Sequence, residues 1–232
     1  MQSITQAPSR AQQVYHTIRD AICDCTLEPG KHLVQEELAS TLGVSRQPIQ
    51  QAMLLLKNDG LVIESGGRGL FVAPLDPVEI RHRYQIRKVL DELAGRLVAR
   101  QAKRSSGFRD RILREGQDLL EQGEKTRKKG NALETVGVDM EFHQFIYSQS
   151  GNPLIASTTE PHWYFLRRVM VAVLLHAERG HTVWDQHCKI LDALVSGDED
   201  ESARLARQHI EGAEEALIAA LEKRSPPKDA AE

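Results

Sequence analysis

The stretch VDMEFHQF, residues 138–145, sets an aspartate and a histidine four positions apart inside an apolar run of helical period. Positions i and i+4 share one face of a helix, and that face also carries Phe142, Ile146 and Ser150, so Asp139 and His143 point inward. A carboxylate and an imidazole turned into a core need partners: an unpaired buried polar group costs on the order of 1–3 kcal/mol, and a buried charge costs more. Two more inward histidines follow. His187 shares a stripe with Val183, Ile190, Leu191 and Leu194, and His209 shares one with Leu205, Gly212, Ala213 and Ala216. Their 22-residue offset fits an antiparallel helix pair turning through SGDEDES, which would bring both rings to one level of a bundle. One carboxylate and three imidazoles form a ligand set for a divalent ion, Zn²⁺ first, with Ni²⁺ or Mn²⁺ also suited. The competing reading is a metal-free His/Asp network.

A second anomaly lies upstream. Arg83, Arg87 and Asp91 fall on the inward stripe of a helical pattern with Ile80, Leu90, Ala94 and Val98, whereas Arg96 and Arg100 lie at its edge or outside. An inward guanidinium needs an anion. Asp91, one turn on, could supply it as a resting partner, and so could the carboxylate of a ligand, which a guanidinium matches bidentately.

The elements that must position these groups are helices. Pro74 and Pro77 around Asp76 mark a linker, and beyond it the pattern predicts six helices, at about 78–103, 106–128, 131–150, 152–177, 181–196 and 199–223, with no convincing strand. The ending RSPPKDAAE reads as a disordered tail from about residue 226. The first 75 residues read differently. A helical period runs through Val14, Ile18, Ala21 and Ile22 until Pro29 and Gly30 break it. A short helix through Glu36–Leu42 stops at Gly43, and another restarts after Ser45 with Ile49, Ala52, Met53 and Leu56 on one stripe, Ser45 being placed as its N-cap. The opposite face offers Arg46, Gln47, Gln50, Gln51 and Lys57, all able to donate to phosphates or base edges. LVIESGGRGLFVAP then reads as strand, Gly-rich turn, strand, with Arg68 at the tip.

Helix, helix-turn-helix and hairpin make a winged helix-turn-helix. EELASTLGVSRQPIQQAMLLLKNDGLV followed by GGRGLFVAP resembles the DNA-binding domain of GntR-type bacterial transcription regulators over about residues 10–75. The resemblance implies operator contacts from Ser45, Arg46 and Gln50, with Gly66, Gly67 and Arg68 in the wing at the minor groove; Gln47, on the same polar face, is expected to join them. This chain departs from the family where Gln50 and Gln51 replace a common Arg-Glu pair; Gln pairs bidentately with adenine, which would shift the operator preference. DMEFHQFIYSQSGNPLI, DQHCKILDALVSGD and ARLARQHI resemble the all-helical FCD domain of one GntR subfamily, and Asp139, His143, His187 and His209 fall in the order and spacing of its metal ligands. The six-helix count is closer to the VanR-type than to the seven-helix FadR-type subgroup. YQIRKVLDEL resembles the region lining that domain's effector pocket, which makes Arg87 the candidate for gripping a carboxylate effector.

Composition sets bounds. With 232 residues, 27% charged and 41% hydrophobic, the chain suits a soluble protein of one large or two smaller domains. No apolar run reaches the roughly 18 residues of a membrane span, the start MQSITQAPSRAQQ lacks a signal-peptide pattern, and Cys23, Cys25 and Cys188 suit a reducing compartment, so a cytoplasmic location is expected. Residues 1–75 carry six Lys/Arg against seven Asp/Glu, 76–129 fifteen against nine, and 130–232 nine against seventeen. A near-neutral N-terminal third is not the usual strongly basic footprint of a nucleic-acid binder.

The expectation is therefore a non-enzymatic, ligand-responsive transcription regulator, a repressor, with a winged helix-turn-helix domain at 1–75 and an all-helical ligand- and metal-binding domain at 76–225. It would bind a palindromic operator as a homodimer, with half-sites about one helical turn, roughly 34 Å, apart. A small carboxylate bound near the metal would be the signal, transmitted through residues 74–78. One alternative makes the metal itself the signal. Another is a helical metallohydrolase with an accessory DNA module, disfavoured because no HExxH-like motif supplies a base and Glu141 would point away from Asp139 and His143.

Overall fold

Ser9 and Gln12 cap each other's backbone N–H groups in a capping box, and this starts α1 (Arg10–Cys23), whose buried stripe is Val14, Ile18 and Ile22. The computed structural model describes residues 8–67, 69–174 and 181–223. Contacts divide the chain into two units, Met1–Leu75 and Asp76–Glu232.

In the first unit α1 is followed by β1 (His32–Leu33), α2 (Gln35–Leu42), α3 (Arg46–Asn58), β2 (Val62–Glu64) and β3 (Leu70–Val72). Gly43 ends α2 in the left-handed conformation, φ 64°, and so makes the tight turn into α3. Ile18, Ile22, Ile49, Met53, Leu56, Leu61 and Val72 close one small core. The expected hairpin is present, with Val62 opposite Val72 and Glu64 opposite Leu70. A third strand joins it, since His32 pairs with Phe71 and Leu33 with Leu70, giving the antiparallel order β1-β3-β2. Two residues are too few to carry a period of two, so β1 is silent in the sequence.

The second unit is all helical among the described residues: α4 (Pro77–Arg104), α5 (Ser106–Lys128), α6 (Ala132–Gln149), α7 (Pro153–Leu174), α8 (His181–Ser196) and α9 (Glu199–Glu222). Each described boundary lies within one residue of expectation; the expected end of the fourth helix at 177 and the expected tail lie outside the described residues. The starts are legible in side chains: Asp76 accepts from Val78 N, Asn131 from Glu134 N and Asp198 from Glu201 N. Small residues set the helix spacing. A Cβ on Gly95 would lie 3.4 Å from the Ser202 carbonyl oxygen of α9, and one on Gly123 of α5 would fall about 2.0 Å from the Trp184 ring of α8. This close approach seats Trp184 in the interior, beside His187.

Candidate metal centre and nucleic-acid interface

Four helices deliver polar side chains to one point of the second unit. Asp139, His143 and Tyr147 are successive i+4 positions of α6, His187 comes from α8, His209 from α9, and Arg87 and Asp91 from α4. His143, His187 and His209 are buried, and Asp139 is half-buried with its side chain 14% exposed. One ligand atom from each of Asp139, His143, His187 and His209 lies within 4.8 Å of the others. His209 Nε2 is 3.2 Å from His187 Nε2 and 3.3 Å from His143 Nε2, while Asp139 Oδ1 is 3.5 Å from His187 Nε2. Tetrahedral zinc with ordinary Zn–N bonds separates its nitrogens by about 3.3 Å, so the donor set fits such an ion.

For His143 and His209 a partner on the outer nitrogen turns Nε2 inward. Ionised Asp91 can only accept, so His143 Nδ1 donates to its Oδ1 at 2.9 Å and His143 Nε2 keeps its lone pair. His209 Nδ1 is likewise occupied by Gln186 Oε1 at 2.8 Å. Burial first, and then the neighbouring His209, His143 and Arg87, push His187 well below the ordinary histidine range; burial, then His143 and Arg87, does the same to His209. His187 Nδ1 is buried without a hydrogen-bond partner, so its Nε2 can donate to His209 Nε2 or, with the proton on Nδ1, turn its lone pair to a cation shared with the other two rings. Burial also pushes the Asp139 carboxyl up, partly opposed by His143 and Arg87, as expected of an anion without its counter-ion.

Arg87 pairs with Asp91, the resting partner that its spacing suggests, but without a hydrogen bond. Asp91 Oδ2 accepts from Tyr147 Oη at 2.6 Å and its Oδ1 serves His143, leaving Arg87 Nε at 3.5 Å. Arg87 Nε and Nη2 have no hydrogen-bond partner although the residue is 4% exposed. Its guanidinium lies over Trp163, 4.7 Å from the ring centre, and near Tyr84 at 5.5 Å. Burial disfavours this cation, but the Asp91 carboxylate more than offsets that, and Arg87 remains charged. Burial opposes the Asp91 charge too, yet His143, Arg87 and Tyr147 hold its carboxyl below the usual range. Arg87 opens on a cavity of about 100 Å³ whose wall also includes Tyr84, Asp139 and His209. Tyr84 Oη is buried without a hydrogen-bond partner, and burial pushes its pKa up to about 12, so it stays a neutral hydroxyl on a residue of the cavity wall.

Several expectations need correction. Arg83 is half-buried rather than inward: it pairs with Glu79 at 2.5 Å and lies over Phe165. Gly212 is exposed, and the buried stripe through His209 is Ser202, Ala206, Ile210 and Leu217 instead. The helix stripe drifts with 3.6 residues per turn, and three residues past His209 it has already turned away. Other expectations hold: Arg96 and Arg100 lie outside, paired with Asp200 and Glu199, and Glu141 is exposed. Tyr84, Tyr147, Trp163, Trp184 and Gln186 were not singled out. Tyr147 was available to the same reasoning, four residues beyond His143 on its stripe, and Tyr84 sits three before Arg87.

In the first unit Ser45, Arg46, Gln47, Gln50 and Gln51 are all exposed on α3. Ser45 occupies the N-cap position but makes no capping bond. The third helical residue is Pro48, which has no N–H to offer, so the hydroxyl stays available. Arg46 pairs with Glu36 at 2.5 Å, both side chains more than two-thirds exposed. Such a pair is worth about 0–1 kcal/mol and exchanges readily for another anion. Gly66 and Gly67 take φ 54° and 68°, successive left-handed residues that only glycine adopts freely, at the hairpin tip; Arg68 lies outside the described residues.

Comparison with known proteins agrees with both halves. Residues 10–72 match the profile of bacterial regulatory proteins of the gntR family, and residues 82–212 match the FCD domain. The chain is 28% identical over 211 residues to an HTH-type transcriptional regulator in an unstable DNA locus of Streptomyces ambofaciens, covering 89% of this chain and 84% of that one. It is 26% identical over 206 residues to the HTH-type transcriptional repressor RspR of Escherichia coli, covering 89% and 88%. The solved structure of E. coli McbR/YncC shares the fold, with TM-score 0.75 at 19% identity over 94% of this chain and 99% of that one. These relatives are regulators, not enzymes, and among the described residues no helix is long and apolar enough to cross a membrane. With both profiles matched in order, and the FCD match alone spanning more than half of its length, the chain belongs to the gntR family of bacterial regulatory proteins that carry an FCD domain, and it is a DNA-binding transcription regulator.

Proposed function

We propose that this regulator is a ligand-released repressor whose signal is a small carboxylate bound between Arg87 and a divalent metal, zinc first, held by Asp139, His143, His187 and His209. The observation that carries this reading is the pairing of two features around one cavity: imidazole Nε2 atoms converging at 3.2–3.3 Å, and a buried guanidinium with two N–H groups that make no hydrogen bond. A carboxylate there would answer both. The ion would supply a fixed positive charge, while Arg87 and Tyr84 orient the ligand by donated hydrogen bonds.

On the DNA side, Ser45 and Arg46 contact phosphate or base edges from the start of α3, and Gln47 and Gln50 read bases in the major groove. Gly66, Gly67 and Arg68 form a wing at the minor groove. The protein acts in the cytoplasm as a homodimer on a palindromic site, and the ligand's effect reaches the first unit through residues 74–78. A ligand shifts this equilibrium only by its differential affinity for the two states. The test is operator binding by metal-loaded and chelator-treated protein across a panel of small carboxylic acids. Release by an acid only when metal is present supports the reading. Release by metal alone, with no acid, overturns it in favour of a metal sensor.

A further inference from the structure

The same cavity carries information about which carboxylates it admits. Among the described residues two charged side chains reach its wall, Arg87 and Asp139, and a third, Asp91, is hydrogen-bonded to His143, whose ring belongs to the same cluster as the lining residue His209. Counting a divalent ion as +2, Arg87 as +1 and the two aspartates as −1 each leaves +1. One negative charge balances that. The remainder of the wall, beyond Tyr84 and Thr135, is hydrocarbon or aromatic: Val136, Met170, Val173, Val183, Trp184 and Leu217. Among the described residues the wall holds no second cation to receive a second carboxylate and no ladder of hydroxyl partners for a sugar. The donors without a hydrogen-bond partner are Arg87 Nε and Nη2 and Tyr84 Oη, and the Arg87 guanidinium lies 5.5 Å from the Tyr84 ring centre.

We infer that the effector is a monocarboxylate with an apolar body, its head at Arg87, Tyr84 and the metal and its hydrocarbon against Val173, Trp184 and Leu217. This rests on the reading of Arg87 and the metal given above and narrows it to a chemical class. Size follows from the cavity. At about 10–15 Å³ per water-sized group, 100 Å³ seats roughly seven to ten non-hydrogen atoms, a carboxylate with about four to seven further carbons. A second buried carboxylate would have to be desolvated without a partner, and neutralising it by protonation would cost most of its affinity at neutral pH.

The experiment uses full-length, zinc-loaded protein and follows thermal stabilisation and calorimetric binding with acetate, butyrate, hexanoate, succinate, adipate and glucuronate. Affinity should rise from acetate to hexanoate by about four-fold per methylene, the increment of burying one CH₂. Succinate and adipate should bind at least ten-fold more weakly than butyrate and hexanoate. The variant Arg87→Met keeps the buried volume and drops the charge; it should retain stoichiometric zinc and lose the whole series. Succinate, adipate or glucuronate binding more tightly than butyrate, and still losing affinity in Arg87→Met, would overturn the apolar monocarboxylate while leaving the carboxylate site intact. A series indifferent to Arg87→Met would overturn both, and a separate variant, Val183→Asp, distinguishes the cavity itself. It should abolish the methylene increment while zinc remains bound, and an unchanged increment would mean the hydrocarbon lies elsewhere.

Discussion

The two units place polar side chains in opposite environments. On α3, Ser45, Arg46, Gln47 and Gln50 stand in water, and none of them is needed to close the core of Ile18, Ile49 and Leu56 behind them. In the helical unit His187 is fully buried, His143 and His209 are nearly so, and Phe142 stacks on His187 at 4.4 Å. An exposed polar residue costs the fold almost nothing, so the first unit can change this face of α3 without changing its stability. A buried one must be satisfied, so in the second unit the site and the stability are the same set of interactions. Substitutions should therefore separate function from stability in one unit and fail to separate them in the other.

The largest expected effect is on the buried side. His143→Ala or His187→Ala should each remove most bound metal, and with it the linkage stabilisation, about 4 kcal/mol when the free ion is a thousand times its dissociation constant. Scanning calorimetry with and without chelator measures it; a variant that keeps both its metal and its melting temperature would show the ligands are others. The metal-free protein carries a pH signature as well. His187 and His209 have folded pKa values pushed below the unfolded value of about 6.5, so the unfolded chain binds more protons once the pH drops below that value. Their contribution is fully present above about pH 6.5 and is lost as pH falls. Urea midpoints measured at pH 7.5 and 5.5 should therefore differ in that direction, and less so with metal bound.

A smaller effect belongs to Asp91, which touches no ligand atom facing the centre. Asp91 holds His143 through Nδ1, so Asp91→Ala should weaken zinc binding by about 10–100-fold, while Asp91→Asn, which can still accept from Nδ1, should recover part of it. Competition with a chelating dye gives the affinity. Equal losses in both variants would mean that the charge near Arg87, not the orientation of His143, is what matters.

Most of the second unit was legible because each helix is long, periodic and opened by a capping side chain such as Asp76, Asn131 or Asp198. The four-residue cluster was legible for the same reason, since an inward histidine on an apolar stripe is conspicuous. What the sequence hid is contact between helices. That Asp91 of α4 hydrogen-bonds His143 and Tyr147 of α6 besides pairing with Arg87 on its own helix is a tertiary fact: Asp91 and His143 are 52 residues apart, and the i+4 spacing points only to the Arg87 pair. Gly212 was misplaced because extending a stripe by one step ignores its drift. The two-residue β1 and the missing cap bond of Ser45 were hidden by shortness and by the chemistry of Pro48.

In the exposed unit Arg46→Ala should cost about 1–3 kcal/mol of operator binding and relax sequence preference, while changing stability by no more than about 0.5 kcal/mol. The Glu36 pair that it loses is too solvated to be felt. Arg68→Ala should weaken binding similarly. With six Lys/Arg against seven Asp/Glu in residues 1–75, few phosphates can be neutralised, so the salt dependence should correspond to few released counter-ions and flatten by about one in each variant. Band-shift titrations at two salt concentrations decide it, and unchanged operator affinity in both variants would remove these arginines from the interface.

The smallest effect tests whether the coupling of site and stability in the helical unit is confined to its inner face. Gly212 lies three residues beyond His209 on α9, is exposed, and a Cβ built there meets nothing within 4 Å. Glycine inside a helix costs about 0.5–1 kcal/mol relative to alanine, because the unfolded chain has more freedom to lose. Gly212→Ala should therefore stabilise the protein by about that amount while leaving zinc affinity, acid binding and operator affinity unchanged. Equilibrium urea unfolding resolves a change of this size if the transition is two-state. A stabilised protein with altered zinc affinity would mean that α9 transmits strain across its own width to His209, and the contrast between an inert outer face and a coupled inner one would not hold within a single helix.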